Sequence, residues 1–334
     1  MRPVIGTDEF RDTAKTPIDE RGVRDEASGT VCGRLHGAVG VAKAADLPAR
    51  PSGPPPFFLF SDNQVYFEFK PFGKEPGVSD KFHPGGTTIQ KYIVGYTHFD
   101  VFQYGTNFAN IEFLKSSPQD PPAGFPSQFN ANFTAPNSGP GAQEFYGLYR
   151  GTLSGNALTR SKMFSFGIIK DVSLAYGFDA NTKNVQFDPQ KREVTGGFQL
   201  AFDTPGVFNV TFNISHEWNN NGILHKGVSF KAAPELEIVY AQPLTFTSLP
   251  LSLAGFVTVV APKGRDGFGV KTKTELNSET RLVLDAGKTF GGPAGRTDIF
   301  VGYKYWRNKF GGDNRLTPGS IESTVFAGIA FHLF

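Results

Sequence analysis

Residues 207 to 218 read VFNVTFNISHEW, and alternate positions fall into two unlike sets. Phe208, Val210, Phe212, Ile214, His216 and Trp218 form an oily row. Val207, Asn209, Thr211, Asn213, Ser215 and Glu217 form a mostly polar one. Successive side chains of a strand point to opposite faces, so alternation sustained over this length specifies β-structure with one apolar and one wet side. On a helix, residues i and i+2 sit about 200° apart, and no coherent apolar stripe would result.

The same split recurs. Val194, Phe198, Leu200 and Phe202 oppose Glu193, Thr195, Gln199 and Ala201; Val228, Phe230, Leu236, Ile238 and Tyr240 oppose Ser229, Lys231, Glu235 and Glu237. Period-2 segments bounded by turn residues predict about twelve strands: 64–70, 88–101, 105–115, 143–153, 165–180, 191–203, 206–218, 226–241, 249–261, 271–288, 296–308 and 321–333. Connections after odd-numbered strands are mostly long and those after even-numbered ones mostly short; the shortest, Thr204-Pro205, leaves room only for a hairpin. Long loops on one side and short turns on the other are the habit of outer-membrane barrels. Phe202 and Phe208 flank that short turn, while Trp218, Tyr303 and Tyr305 approach the long loops, as two interfacial girdles require. The predicted fold is all-β: an up-and-down antiparallel transmembrane barrel of about twelve strands in a bacterial outer membrane.

Composition narrows the alternatives. Mean hydropathy is −0.25, and the sequence has no run approaching the ~18 consecutive apolar residues of a transmembrane helix. The formal net charge is +2, from 33 basic and 31 acidic residues, which gives no field for nucleic acid. The single cysteine, Cys32, supports neither a disulfide framework nor a cysteine zinc site. Residues 1–44 read as a signal-like or disordered leader, with Ala42-Lys43-Ala44 in the form of a cleavage site. Residues 45–60 form a proline-rich linker that cannot join a sheet interior, and 61–334 the barrel. The terminal row Val325, Ala327, Ile329, Phe331 and Leu333, followed by Phe334, resembles the aromatic strand signal read by the outer-membrane assembly machinery.

If the oily rows meet lipid, the other parity lines a wet lumen. That parity selects Tyr66, Glu68 and Lys70; Tyr96, His98 and Asp100; Phe108, Asn110 and Glu112; and Glu144, Tyr146 and Arg150. From later strands it selects Asn213, Glu217, Lys231, Glu235 and Glu237; Phe256; Lys273, Glu275, Glu279, Arg281 and Asp285; and Phe300, Lys304 and Trp306. Interleaved acids and bases with aromatics suit a neutral solute with a flat face and hydroxyls better than a simple ion. His98, Asp100 and Glu112 lack a further histidine to complete a metal set, so an ion-paired lumen is expected, with no metal and no cofactor. His216 faces outward and its neighbours Ile214 and Trp218 offer no nucleophile, so no enzyme is expected.

Two stretches carry a family resemblance. FQYGTNFANIEF (102–113) resembles the WKYGDNFFFVD segment, and GYKYWRNKFGG (302–312) the EYQYWNNKFG segment, of the Tsx-like nucleoside-specific channel-forming outer-membrane proteins. The order of elements, including IKDVSLAYGFD at 169–179, is similar from about residue 57 onward. The resemblance implies a monomeric twelve-stranded barrel with a narrow lumen through which nucleosides diffuse. The sequence departs at Thr106, where the family has Asp, at Ala109 and Asn110, where it has paired phenylalanines, and at Glu112, where it has Asp. Those changes remove aromatic surface on which a base would stack.

Overall fold

The computed structural model describes residues 56–80, 82–124 and 140–333; the leader and most of the linker lie outside them. Seven strands lead the chain: β1 (Phe58–Gly73), β2 (Ile89–Phe102), β3 (Gly105–Ser116), β4 (Gln143–Ser154), β5 (Ile169–Lys183), β6 (Gln190–Phe202) and β7 (Val207–Asn221). After the short β8 (Lys226–Ser229) come β9 (Ala233–Pro243), β10 (Leu251–Val260), β11 (Glu275–Asp285), β12 (Thr297–Arg307) and β13 (Ile321–Leu333). Each pairs antiparallel with its neighbour in sequence, except that β9 pairs with β7 rather than with β8, which pairs with β7 alone. The sheet closes through β1 with β13. Because β8 only prolongs the β7 hairpin, the closed wall has twelve strands. Closure leaves the wall no edge strand, which lets a β-structure satisfy its backbone in lipid.

The connections sort by end. Those of β2–β3, β4–β5, β6–β7, β9–β10 and β11–β12 lie at one end; those of β1–β2, β3–β4, β5–β6, β10–β11 and β12–β13, most of them longer, lie at the other with the β7–β8 hairpin. Two short-end turns contain single helical turns, Gly155–Thr159 and Ala286–Thr289. They are stopped at their N-termini by Ser154 and Asp285, which accept from the amides of Ala157 and Lys288.

The oily rows face out. Phe67, Phe113, Leu174, Phe178, Phe198, Phe212, Val301 and Val325 are all exposed, and stacked pairs such as Phe198 with Phe212 (5.3 Å) form bands across neighbouring strands. So much contiguous apolar surface is stable only against lipid. Near the middle of β7, a cation on this face has no water to reach. Phe212→Lys is therefore expected to lower folding stability by about 2–4 kcal/mol, measured by denaturant unfolding in vesicles. The inner neighbour Thr211 is buried by contrast.

Candidate functional site: the lumen and its long-loop mouth

Inward rows fill the barrel. Tyr66, Phe108, Phe256 and Phe300 are almost completely buried and belong to one apolar cluster with Phe326, Val283 and Val239. Room for these rings is made by small residues opposite them: a Cβ on Gly95 would lie 2.0 Å from the Tyr66 ring. Arg281 crosses the same level. Its guanidinium lies 4.6 Å from the Phe300 ring centre and 5.1 Å from that of Phe326, and it donates to Glu68 (2.9 Å) and Glu279 (2.6 Å). Lys304 reaches Glu279 at 3.3 Å. The Tyr66 hydroxyl donates to Glu112 (2.6 Å) and also reaches Asn110 (3.1 Å). On the other wall Arg150 binds Asp179 (2.5 Å) and Glu237 (3.0 Å), with Glu235 at 3.9 Å. Glu217 pairs with Lys263 from the β10–β11 loop.

Above this level the long loops turn inward. Glu75, just beyond β1, is held by Lys91 (2.6 Å), Lys183 (3.2 Å) and Lys309 (3.3 Å). Asp120 from the β3–β4 loop meets Lys183 at 2.6 Å, Glu144 meets Lys91 at 3.0 Å, and Glu322 meets Lys309 at 2.6 Å. Burial opposes charge on Glu75, but the attraction of Lys183, Lys309 and Lys91 prevails and holds its carboxyl well below the usual carboxylate range.

This network separates two cavities. The outer one, of about 260 Å³, is a vestibule among the long loops with Phe187, Phe230, Phe268 and Phe310 in its wall. The inner one, of about 80 Å³, lies among Glu68, Lys70, Ile93, Tyr146, Lys304 and Trp306. Glu75, Glu144, Asn181, Lys191, Lys309 and Phe310 border both. Phe310 adopts φ 58°, ψ 22°, two residues after Asn308 at φ 52°, ψ 52°. A bulky side chain in the left-handed region is strained, and here the strain sets the ring 4.9 Å from that of Trp306 at the constriction.

The structure places Tyr66, Glu68, Phe108, Asn110, Glu112, Glu144, Arg150, Glu217, Glu235, Phe256, Arg281, Lys304 and Trp306 on the inner wall. Five candidates are elsewhere. Tyr96, His98 and Asp100 lie on the outer face near the short-turn end, because the inner row of β2 is Lys91, Ile93, Gly95 and Thr97. Their polar atoms are satisfied there: Tyr96 donates to Asn63 (2.6 Å), while His98 pairs with Asn63 (2.9 Å) and Asp100 (3.0 Å). Lys231 is exposed, because the chain leaves β8 at Ser229 and re-enters the sheet at Ala233. Over that stretch the chain advances from Ser229 to Ala233 while β7 runs only from Trp218 to Ser215, and the one extra residue reverses parity. Phe230, expected outside, turns in, with the Lys263 ammonium 4.7 Å from its ring centre. Lys273 precedes β11 and reaches Asp313 at 3.4 Å.

Sequence reasoning missed Glu75, Asp120, Lys263 and Lys309 because they sit in loops, where no period marks which way a side chain points. It missed Lys91 through the inverted β2. It also missed Ser229, whose Oγ lies 3.4 Å from His216 Nε2 on the outer face. No third group that orients the imidazole accompanies that pair among the described residues, and we assign it no chemistry.

No protein-family model matches the chain, and no curated protein matches it in sequence. Solved structures do. The translocator domain of the autotransporter NalP from Neisseria meningitidis is 11% identical over 82% of this chain and 88% of its own, with a TM-score of 0.35. Salmonella typhi OmpF in complex with daunomycin is 10% identical over 82% and 97%, with a TM-score of 0.35. An anion-selective porin from Comamonas acidovorans is 9% identical over 82% and 99%, with a TM-score of 0.31. The chain is a transmembrane β-barrel. That assignment rests on its own strand pairing and exposed apolar faces.

Proposed function

We propose that this barrel is an outer-membrane channel for passive diffusion of small hydrophilic solutes, nucleosides among them. The observation that carries the reading is a polar, charge-lined interior inside a lipid-facing wall, with a vestibule at its long-loop end. A barrel serving only as a membrane anchor has no use for buried ionic groups, each of which is costly to desolvate. In outer-membrane barrels the long loops are extracellular, so solute enters through the vestibule.

The stacking surface in this reading is the vestibule rather than the mid-lumen rings, which are packed against one another. Phe268 is half exposed and lies 6.2 Å from Phe187, ring centre to ring centre. A flat solute held there gains about 1–3 kcal/mol per stacked ring, weak enough for rapid release. Phe268→Ala is therefore expected to raise the concentration of adenosine that half-blocks the current by about tenfold, whereas Phe212→Ala, facing lipid, leaves it unchanged.

The deciding experiment is conductance in a planar bilayer while adenosine, thymidine, glucose and a long-chain fatty acid are titrated. Saturable block by nucleosides alone supports the nucleoside reading, and steady current blocked by none supports a general pore. Absence of current would favour a second reading, a structural or surface-binding barrel of little conductance. The filled level at Tyr66, Phe108, Phe256, Phe300 and Arg281 is the observation on its side.

A further inference from the structure

The axis of the barrel is occupied, yet one strip of its inner wall differs from the rest. Buried side-chain atoms without a protein partner recur along it: Thr195 Oγ1 and Gln199 Nε2 on β6, Asn209 Nδ2 and Asn213 Oδ1 on β7, and Thr258 Oγ1 on β10. Pairing brings them together. Gln199 lies opposite Thr211, which lies opposite Glu237, which lies opposite Thr258. Thr195 and Asn213 stand on the long-loop side of that row and Asn209 on the short-turn side. The row continues on β11, where Asn277, whose Oδ1 also lacks a protein partner, lies opposite Thr258.

Each buried polar atom left dry costs about 1–3 kcal/mol, and native proteins keep few of them. Several on adjacent strands, of mixed donor and acceptor character, fit a file of small polar molecules. The side chains of Thr195, Ser215 and Thr211 are short, while Glu235 and Glu237 of β9 lie opposite Asn213 and Thr211 and Arg150 reaches Glu237 at 3.0 Å, so fixed charge borders the strip on its β9 side. At its long-loop end the strip meets Glu217 and Asn219, which border the vestibule.

We propose that the permeation route runs off the barrel axis along this β6–β7 strip, and that it passes water and small hydroxyl- or amide-bearing solutes. The proposal rests on the channel reading above. Unpaired donors and acceptors replace the hydration of such a solute one hydrogen bond at a time.

The test is thiol accessibility in the full chain, refolded into vesicles, in a Cys32→Ser background. Gln199→Cys and Asn213→Cys should react with a small neutral methanethiosulfonate reagent at least about tenfold faster than Phe300→Cys and Ala330→Cys, a barrier difference of about 1.4 kcal/mol. Modified Asn213→Cys should then lose solute flux while retaining the heat-modifiable gel shift of a folded barrel. Equal reactivity at all four positions overturns the route. So does undiminished flux after Asn213→Cys is modified. If the unmodified protein passes no solute, the channel reading fails, while the labelling contrast still decides whether the strip is hydrated.

Discussion

Arg281→Met is expected to destabilise the barrel by about 3–5 kcal/mol, more than Phe212→Lys does from the lipid face. Arg281 is completely buried, and its loss leaves Glu68 and Glu279 facing each other without their shared cation, with Lys70 (3.8 Å) and Lys304 (3.3 Å) as partial substitutes. An uncompensated carboxylate in a closed interior costs more than the pair contributed, because desolvation persists after attraction is gone. The second term is packing, since the guanidinium lies over the rings of Phe300 and Phe326. Denaturant unfolding in vesicles measures the sum. Adding Glu279→Gln to Arg281→Met should restore a substantial part of the loss, because removing both charges removes the electrostatic penalty and leaves the packing term. If the double variant is no more stable than the single one, charge is not the cause.

Glu75→Gln should open the long-loop mouth. The wild-type carboxylate ties the β1–β2 loop to β2, β5 and the β12–β13 loop through Lys91, Lys183 and Lys309. With an amide in its place these ammonium groups repel across the constriction, and Asp120, Glu144 and Glu322 remain to hold them only from the sides. Conductance is expected to rise about tenfold, which requires a shift of about 1.4 kcal/mol in the balance of closed and open forms. The pH dependence follows from the same contact. Glu75 titrates well below its ordinary 4.5 while the loop is latched, so the latch is at full strength above about pH 4.5 and weakens only as pH falls through the depressed value. Wild-type current should therefore be flat between about pH 5 and 8 and rise in stronger acid. A rise already complete at pH 5 would remove Glu75 from the latch.

Several features lost to the sequence share one cause. Period-2 reading works where one face is oily and the other is not, as in β7, and it placed most strand boundaries within a few residues. In β2 the inner row is Ile93, Gly95 and Thr97, small or apolar because the Tyr66 ring needs the space, while the interfacial outer row is Tyr96, His98 and Asp100. Polarity there runs opposite to the usual rule, and only the partner strand reveals it. Lys231 fails differently: between Ser229 and Ala233 the chain carries one residue more than the facing stretch of β7, which reverses parity, and no residue type in SFKAA announces it.

Local chemistry along the chain thus determined the antiparallel strands, the lipid-facing rows, the unequal ends and most of the inner wall, because each depends on side-chain alternation within one segment. The tertiary structure alone decided that the lumen is filled rather than open. It also decided that Glu75 and Asp120 descend from loops into it, and that unpaired polar atoms gather on β6 and β7. Those outcomes depend on which side chains meet across the closed barrel, a distance of many strands in sequence that no local period encodes.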